Sequence, residues 1–185
     1  MCLLCVVVDA RTGSAGIDSS RGNSWQHRTM TADLEHDDCE ACRLTASRDP
    51  VPGGRIHATD HWVVEHCVGP LGLGTLIVKP IRHVVSVAEL DTAEAAEFGP
   101  LIRLTSDVAR QLTPAEQVYN CLWSHEGGEP VHIHYLVQPV TRSQMEHYGA
   151  HGPALQVKMF EADEYPDAED IDRVADRARL LFAEN

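Results

Sequence analysis

The stretch Val131-His132-Ile133-His134-Tyr135-Leu136-Val137-Gln138-Pro139 holds two histidines one residue apart among apolar neighbours. In an extended strand, alternate side chains face opposite ways. His132, His134, Leu136 and Gln138 then share one face, and Val131, Ile133, Tyr135 and Val137 form a core face. A buried imidazole is costly unless each ring finds a hydrogen bond or a metal, so the pair reads either as functional or as two surface histidines on an edge strand. Cys39-Glu40-Ala41-Cys42 supplies two thiolates within reach of one tetrahedral ion, and such a pair usually provides half of a four-ligand zinc site when distant histidines provide the rest. His83 closes Lys79-Pro80-Ile81-Arg82-His83, just after a predicted strand. Alone it would read as a solvated loop residue.

The elements that must position these groups begin after Pro52. Gly53-Gly54 signals a turn, and Arg55–Ala58 and His61–Cys67 read as a hairpin around Thr59-Asp60. A third strand is expected at Gly74–Lys79, closed by Pro80. Asp91-Thr92-Ala93-Glu94 has the form of a capping box, and Phe98, Leu101, Ile102, Val108, Ala109 and Leu112 recur at helical spacing behind it. Strands are expected over roughly Gln117–Ser124 and Val131–Pro139, joined by Glu126-Gly127-Gly128-Glu129-Pro130. Ala154–Phe160 reads as an added edge strand. A last helix carries Ile171, Val174, Ala175, Ala178, Leu181 and Phe182 on one side. This order predicts an α+β domain: an antiparallel sheet with a long helix packed on it and a C-terminal helix.

The chain has 185 residues, which suits one domain with a decorated end. Residues 1–38, rich in Ser, Gly and Asn after an apolar start, are expected to be a loosely ordered extension, with the domain over 39–185. A net charge of −13 argues against an extended nucleic-acid surface, which requires basic residues, but not against a small anionic substrate. The run Leu3–Val8 is too short to span a bilayer and lacks signal-peptide flanks, so the expected location is the cytoplasm, without a membrane partner. Six cysteines in so long a chain suggest metal rather than a disulfide scaffold.

Taken in order, Cys-x-x-Cys, Pro-Gly-Gly before a strand, Gly-x-Leu-x-Val-x-Pro-x-x-His, a helix and a late His-x-His resemble the zinc-containing proteins of the histidine-triad (HIT) superfamily, and also its galactose-phosphate uridylyltransferase branch. The likeness runs from about Cys39 to Pro139. It implies a HIT-like sheet, a structural Zn2+ held by Cys39, Cys42, His83 and His132, and His134 as nucleophile toward a nucleotide phosphate. It also implies a homodimer. Two departures stand out. Leu136 occupies the place of the third histidine, with Gln138 further along the same face, as in the aprataxin-type branch. Gly128-Glu129 replaces the usual Gln-Ser or Gln-Thr, and a carboxylate repels phosphate unless protonated or paired.

The implied chemistry is hydrolysis or nucleotidyl transfer through a nucleotidyl-histidine, with His134 and Gln138 as catalytic residues. Backbone N–H groups of Gly127-Gly128 would face the phosphate, and His125 and Glu129 lie beside them as substrate-binding candidates. Four protein ligands leave zinc no open position, so its role is structural. Trp62 and Trp123 suit a core better than base stacking, and Lys79 and Arg82 suit solvated positions better than phosphate binding. Three rival readings follow from the same residues. Cys2-x-x-Cys5 with Cys39 and Cys42 would make a four-cysteine ribbon. His-x-His could ligate a catalytic metal in a barrel, although a glutamate usually follows such a pair. The chain could also be a zinc-stabilised nucleotide-binding or interaction module without catalysis.

Overall fold

A computed structural model describes residue 36 and residues 38–185, apart from 123, 127 and 128. The expected extension over residues 1–38, with Cys2 and Cys5, therefore lies almost wholly outside the described residues. Trp123, Gly127 and Gly128 lie outside them too.

Among the described residues, seven strands and five α-helices follow in order. They are α1 (Glu40–Thr45), β1 (Arg55–Ala58), β2 (Trp62–His66), β3 (Leu76–Pro80), α2 (Thr92–Leu112), β4 (Ala115–Leu122), β5 (His125–Glu126), β6 (Glu129–Pro130), β7 (Tyr135–Thr141), α3 (Arg142–Tyr148), α4 (Pro153–Ala162) and α5 (Ala168–Ala183). Five strands make one antiparallel sheet in the order β1-β2-β3-β7-β4, and β5 and β6 form a separate hairpin. This is the expected α+β architecture.

Strand alternation gives the sheet two chemically different faces. Trp62, Val64, Leu76, Val78 and Val137 project to one side, where they pack with Leu101, Val108 and Ala109 of α2 and with Ala175, Ala178, Leu181 and Phe182 of α5. Burying this apolar surface is the main driving force for closing the two helices onto the sheet. Asp91 starts α2 as predicted: its carboxylate accepts from the Ala93 and Glu94 N–H groups, while the Glu94 side chain accepts from the Asp91 N–H. On the other face Cys67, Ile77, Leu136 and Val140 pack with Leu71, Leu155 and Met159 under α3 and α4. All five residues of β2 and of β3 are buried.

Two expectations require correction. Ala154–Phe160 is not an edge strand but most of α4, which starts at Pro153, where a missing N–H costs nothing, and buries Leu155, Gln156 and Met159 at helical spacing. The late strand begins at Tyr135 rather than Val131. Pro130 has no N–H to offer a ladder, and the His132 carbonyl accepts from the His134 ring. The segment is instead held by single bonds, Val131 N–H to the Ser124 carbonyl (3.1 Å) and Ile133 N–H to the Val84 carbonyl (2.8 Å).

Candidate metal centre and nucleophile

The bond from Ile133 to Val84 fixes the segment before β7 against the loop after β3, and so brings His132 beside His83. From the other side α1 lays Cys42 onto the pair, with Cys39 just ahead of its first turn. One ligand atom from each of Cys39, Cys42, His83 and His132 lies within 4.8 Å of the others. Cys42 Sγ is 3.3 Å from His83 Nδ1 and 3.4 Å from His132 Nδ1, and Cys39 Sγ is 3.8 Å from His132 Nδ1. Around a tetrahedral zinc, bond lengths of about 2.3 Å to sulfur and 2.0 Å to nitrogen separate neighbouring S and N atoms by about 3.6 Å. The observed distances bracket that value.

The donor chemistry agrees with the geometry. His132 Nε2–H donates to the Pro80 carbonyl at 3.0 Å, which turns a bare Nδ1 toward the thiols. This outer hydrogen bond is the usual companion of a metal-ligating imidazole. Burial and the neighbouring His83 push the His132 imidazole down to about 3, so it is neutral. Burial, together with Cys39, pushes the Cys42 thiol up to about 12. Two thiols and two neutral imidazoles in one partly buried cluster fit a divalent cation that releases the thiol protons on binding.

His134 lies two residues on and is 2% exposed. Its Nδ1–H donates to the His132 carbonyl at 3.0 Å. Its Nε2 is buried with no hydrogen-bond partner among the described residues. Burial holds the imidazole below its ordinary value, which leaves Nε2 as a bare lone pair at neutral pH. His66 makes the contrast clear. It is equally buried, yet its Nδ1–H donates to the Cys67 carbonyl and its Nε2 accepts from Gly74 N–H, so both nitrogens are spent on the fold.

The remaining candidates are placed differently. Gln138 is fully buried; its amide N–H2 donates to the Leu71 carbonyl at 3.0 Å and to the Met159 sulfur, and its oxygen accepts from Gln156 at 2.9 Å. Leu136, in the place of a third histidine, packs in the apolar cluster under α4. His125 and Glu129 are exposed on the β5–β6 hairpin, which runs directly into Val131. Arg82 is not a loose cation: it grips buried Glu94 through two hydrogen bonds of 2.9 and 2.8 Å and so ties the His83 loop to the start of α2. Lys79 is buried and paired with Glu65 at 2.7 Å. This ion pair escaped the sequence reading, although one acid and one base isolated in apolar strands were a usable signal, because buried charges must be paired.

No family model matches the chain, and no curated protein does. Solved structures do match in fold. A histidine-triad nucleotide-binding protein from Sulfolobus tokodaii aligns over 79% of this chain and 93% of its own, with a TM-score of 0.61 and 15% identity. A zinc-bound histidine-triad protein from Mycobacterium smegmatis aligns over 79% and 94%, with a TM-score of 0.58 and 17% identity. A HIT-like protein from Bartonella henselae, described as involved in cell-cycle regulation, aligns over 78% and 97%, with a TM-score of 0.58 and 12% identity.

Proposed function

For a chain with the histidine-triad fold, we propose that it hydrolyses or transfers a nucleotide through an intermediate on His134. The observation that carries this reading is the His134 ring itself, whose Nδ1–H is held by a backbone carbonyl while its buried Nε2 has no partner. An imidazole so arranged is a nucleophile fixed in the reactive tautomer. The Nε2 lone pair attacks the α-phosphorus, and the bond from phosphorus to the leaving group breaks with its electron pair. The leaving group takes up a proton. Water or a second acceptor then attacks the same phosphorus, gives up its proton, and the P–N bond breaks to restore neutral His134.

His125 and Glu129 of the hairpin are assigned to substrate binding together with Gly127 and Gly128, since backbone N–H groups are suitable donors to phosphate oxygens. Gln138 is assigned to positioning: it ties β7 to Leu71 and to α4 four residues beyond His134. Zn2+ is assigned to Cys39, Cys42, His83 and His132, where it supplies cohesion between α1, the loop after β3 and the segment before β7. With four protein ligands it offers no position to a substrate.

The test is turnover of dinucleoside polyphosphates, nucleoside phosphoramidates and nucleotidyl adducts by the zinc-loaded protein and by His134→Ala. The reading predicts that the variant keeps its zinc and its fold but loses at least 1,000-fold in turnover, the order expected for a removed nucleophile. Equal activity in the two proteins would overturn it. Binding of nucleotides without turnover by the wild type would instead leave a non-catalytic nucleotide module.

A further inference from the structure

On the face of the sheet that carries His134, a cavity of about 390 Å³ opens between the Leu44–Val51 segment and the sheet. Its size falls within the ordinary range for small-molecule sites, about 300–1,000 Å³. Leu44, Pro50 and Val51 give it apolar walls, Arg48 and Arg55 also line it, and Glu65 of β2 contributes a carboxylate. That carboxylate is 4% exposed and half-satisfied. Its Oε2 takes the Lys79 ammonium at 2.7 Å, whereas Oε1 is buried with no hydrogen-bond partner among the described residues. A carboxylate oxygen can only accept, so Oε1 itself lacks a donor although two arginines line the cavity.

We propose that this cavity is the base pocket of the nucleotide site and that Glu65 Oε1 selects guanine. The inference rests on the reading of the substrate as a nucleotide. Its position follows from strand register. Glu65 lies opposite Ile77, and Ile77 lies opposite Leu136, so these three share one row across the sheet. His134 stands two residues before Leu136 in the chain, just ahead of β7, and Lys79 two residues after Ile77 on the face of Glu65. With strands about 4.8 Å apart, the backbones of residues 65 and 136 lie about 10 Å apart, and residue 134 is two residues from the latter. A nucleotide with its base on Glu65 points its phosphate toward His134. The helix α1 spans the same interval, with Cys42 in the metal cluster and Leu44 on the cavity wall.

Charge and hydrogen-bonding pattern select the base. The Glu65 charge is already met by Lys79, and two arginines line the cavity, so the missing donor belongs to a neutral group. Guanine presents N1–H and N2–H side by side, and one carboxylate oxygen has lone pairs for both. Adenine and cytosine present one amino group beside a bare ring nitrogen, and uracil a single N–H between two carbonyls. A buried acceptor left unpaired, or set against another acceptor, is the strongest kind of discrimination available to a binding site.

Calorimetric titration of the zinc-loaded full chain with GMP, IMP, 1-methyl-GMP, AMP, CMP and UMP tests the proposal. GMP should bind at least tenfold tighter than AMP, CMP or UMP. IMP, without the 2-amino group, should fall between, and 1-methyl-GMP should lose at least tenfold. Glu65→Gln, which keeps an oxygen for Lys79 and turns an N–H2 to the cavity, should abolish the preference. Should that variant not fold, the comparison of GMP with 1-methyl-GMP on the unaltered protein decides alone. Equal affinities for the bases, a preference for another base, no binding of any nucleotide, or an unchanged preference in Glu65→Gln would overturn it. A guanine preference without any adduct on His134 would sink the catalytic reading and leave this one standing; an adduct formed equally from every base would do the reverse.

Discussion

The two faces of the sheet have been put to different uses. Beneath α2 and α5 the buried side chains are mainly apolar and form one continuous cluster, with Thr105 of α2 a buried hydroxyl beside it. The opposite face buries Glu65, Lys79, His134 and Gln138 in its strands and approaches, with Gln156 of α4 packed against them. Apolar burial is non-directional and secures the fold, whereas each buried polar atom must be matched and is therefore informative when it is not. On the second face, Gln138 and Lys79 are matched by the protein. His134 Nε2 and Glu65 Oε1 are not, and both are assigned to the proposed substrate site, whereas on the helix side the unmatched atoms are the hydroxyls of Thr105 and Thr113.

The sharpest break in this comparison is loss of the metal cluster, because its four residues come from α1 and its N-cap, the loop after β3 and the segment before β7, and none from α2 or α5. Chelation of zinc, or Cys42→Ser, should cost about 5 kcal/mol and lower Tm by about 10–20 °C. Thermal unfolding with and without chelator reads the effect, and a shift under 2 °C would show that the cluster carries no cohesion. Next comes the ion pair. Lys79→Met should destabilise by about 3–5 kcal/mol, because Glu65 is left buried without its counter-charge, while Lys79→Met with Glu65→Leu should recover most of the loss. Urea unfolding of the two variants separates these outcomes; equal loss in both would mean that packing, not charge, is at stake.

The smallest effect belongs to the one buried carboxylate at the edge of the first face. Arg82, then the Asp91 N–H, holds Glu94 below the usual carboxylate range against the opposing effect of burial. A depressed folded pKa contributes stability that is present above the unfolded value of about 4.3 and is lost as pH falls through the folded one. The stability gap between the wild type and Glu94→Gln should therefore be widest near neutrality, about 1 kcal/mol because Arg82 is half exposed, and should close at lower pH. A gap independent of pH would refute the assignment.

Much of this was legible before any coordinates. The capping box at Asp91, the helical spacing behind it and the apolar stripe from Ile171 to Phe182 each rest on local periodicity, and α2 and α5 appear where it placed them. The four-residue cluster was readable because Cys-x-x-Cys, His83 and His132 are chemically costly residues whose order matched a known pattern, and the four converge. The segment 131–134 departs from the expected strand because alternation alone does not reveal that the His132 carbonyl is taken by the His134 ring. In α4, Leu155, Val157 and Met159 alternate like a strand, although Val157 is exposed and Gln156 buried. The box Thr141-x-x-Gln144, which caps α3, was present in the sequence and went unused. Glu65 and Lys79 each stand out as a lone charge in an apolar strand, but only strand register shows that they meet.

The most direct measurement is peptide mass spectrometry of the zinc-loaded protein, quenched at neutral pH during reaction with a guanylylated and an adenylylated substrate. The account predicts a nucleotidyl group on the peptide containing residue 134, localised to that ring and absent from His134→Ala. Turnover with no such adduct in rapidly quenched samples, or an adduct on His125 instead, would contradict it.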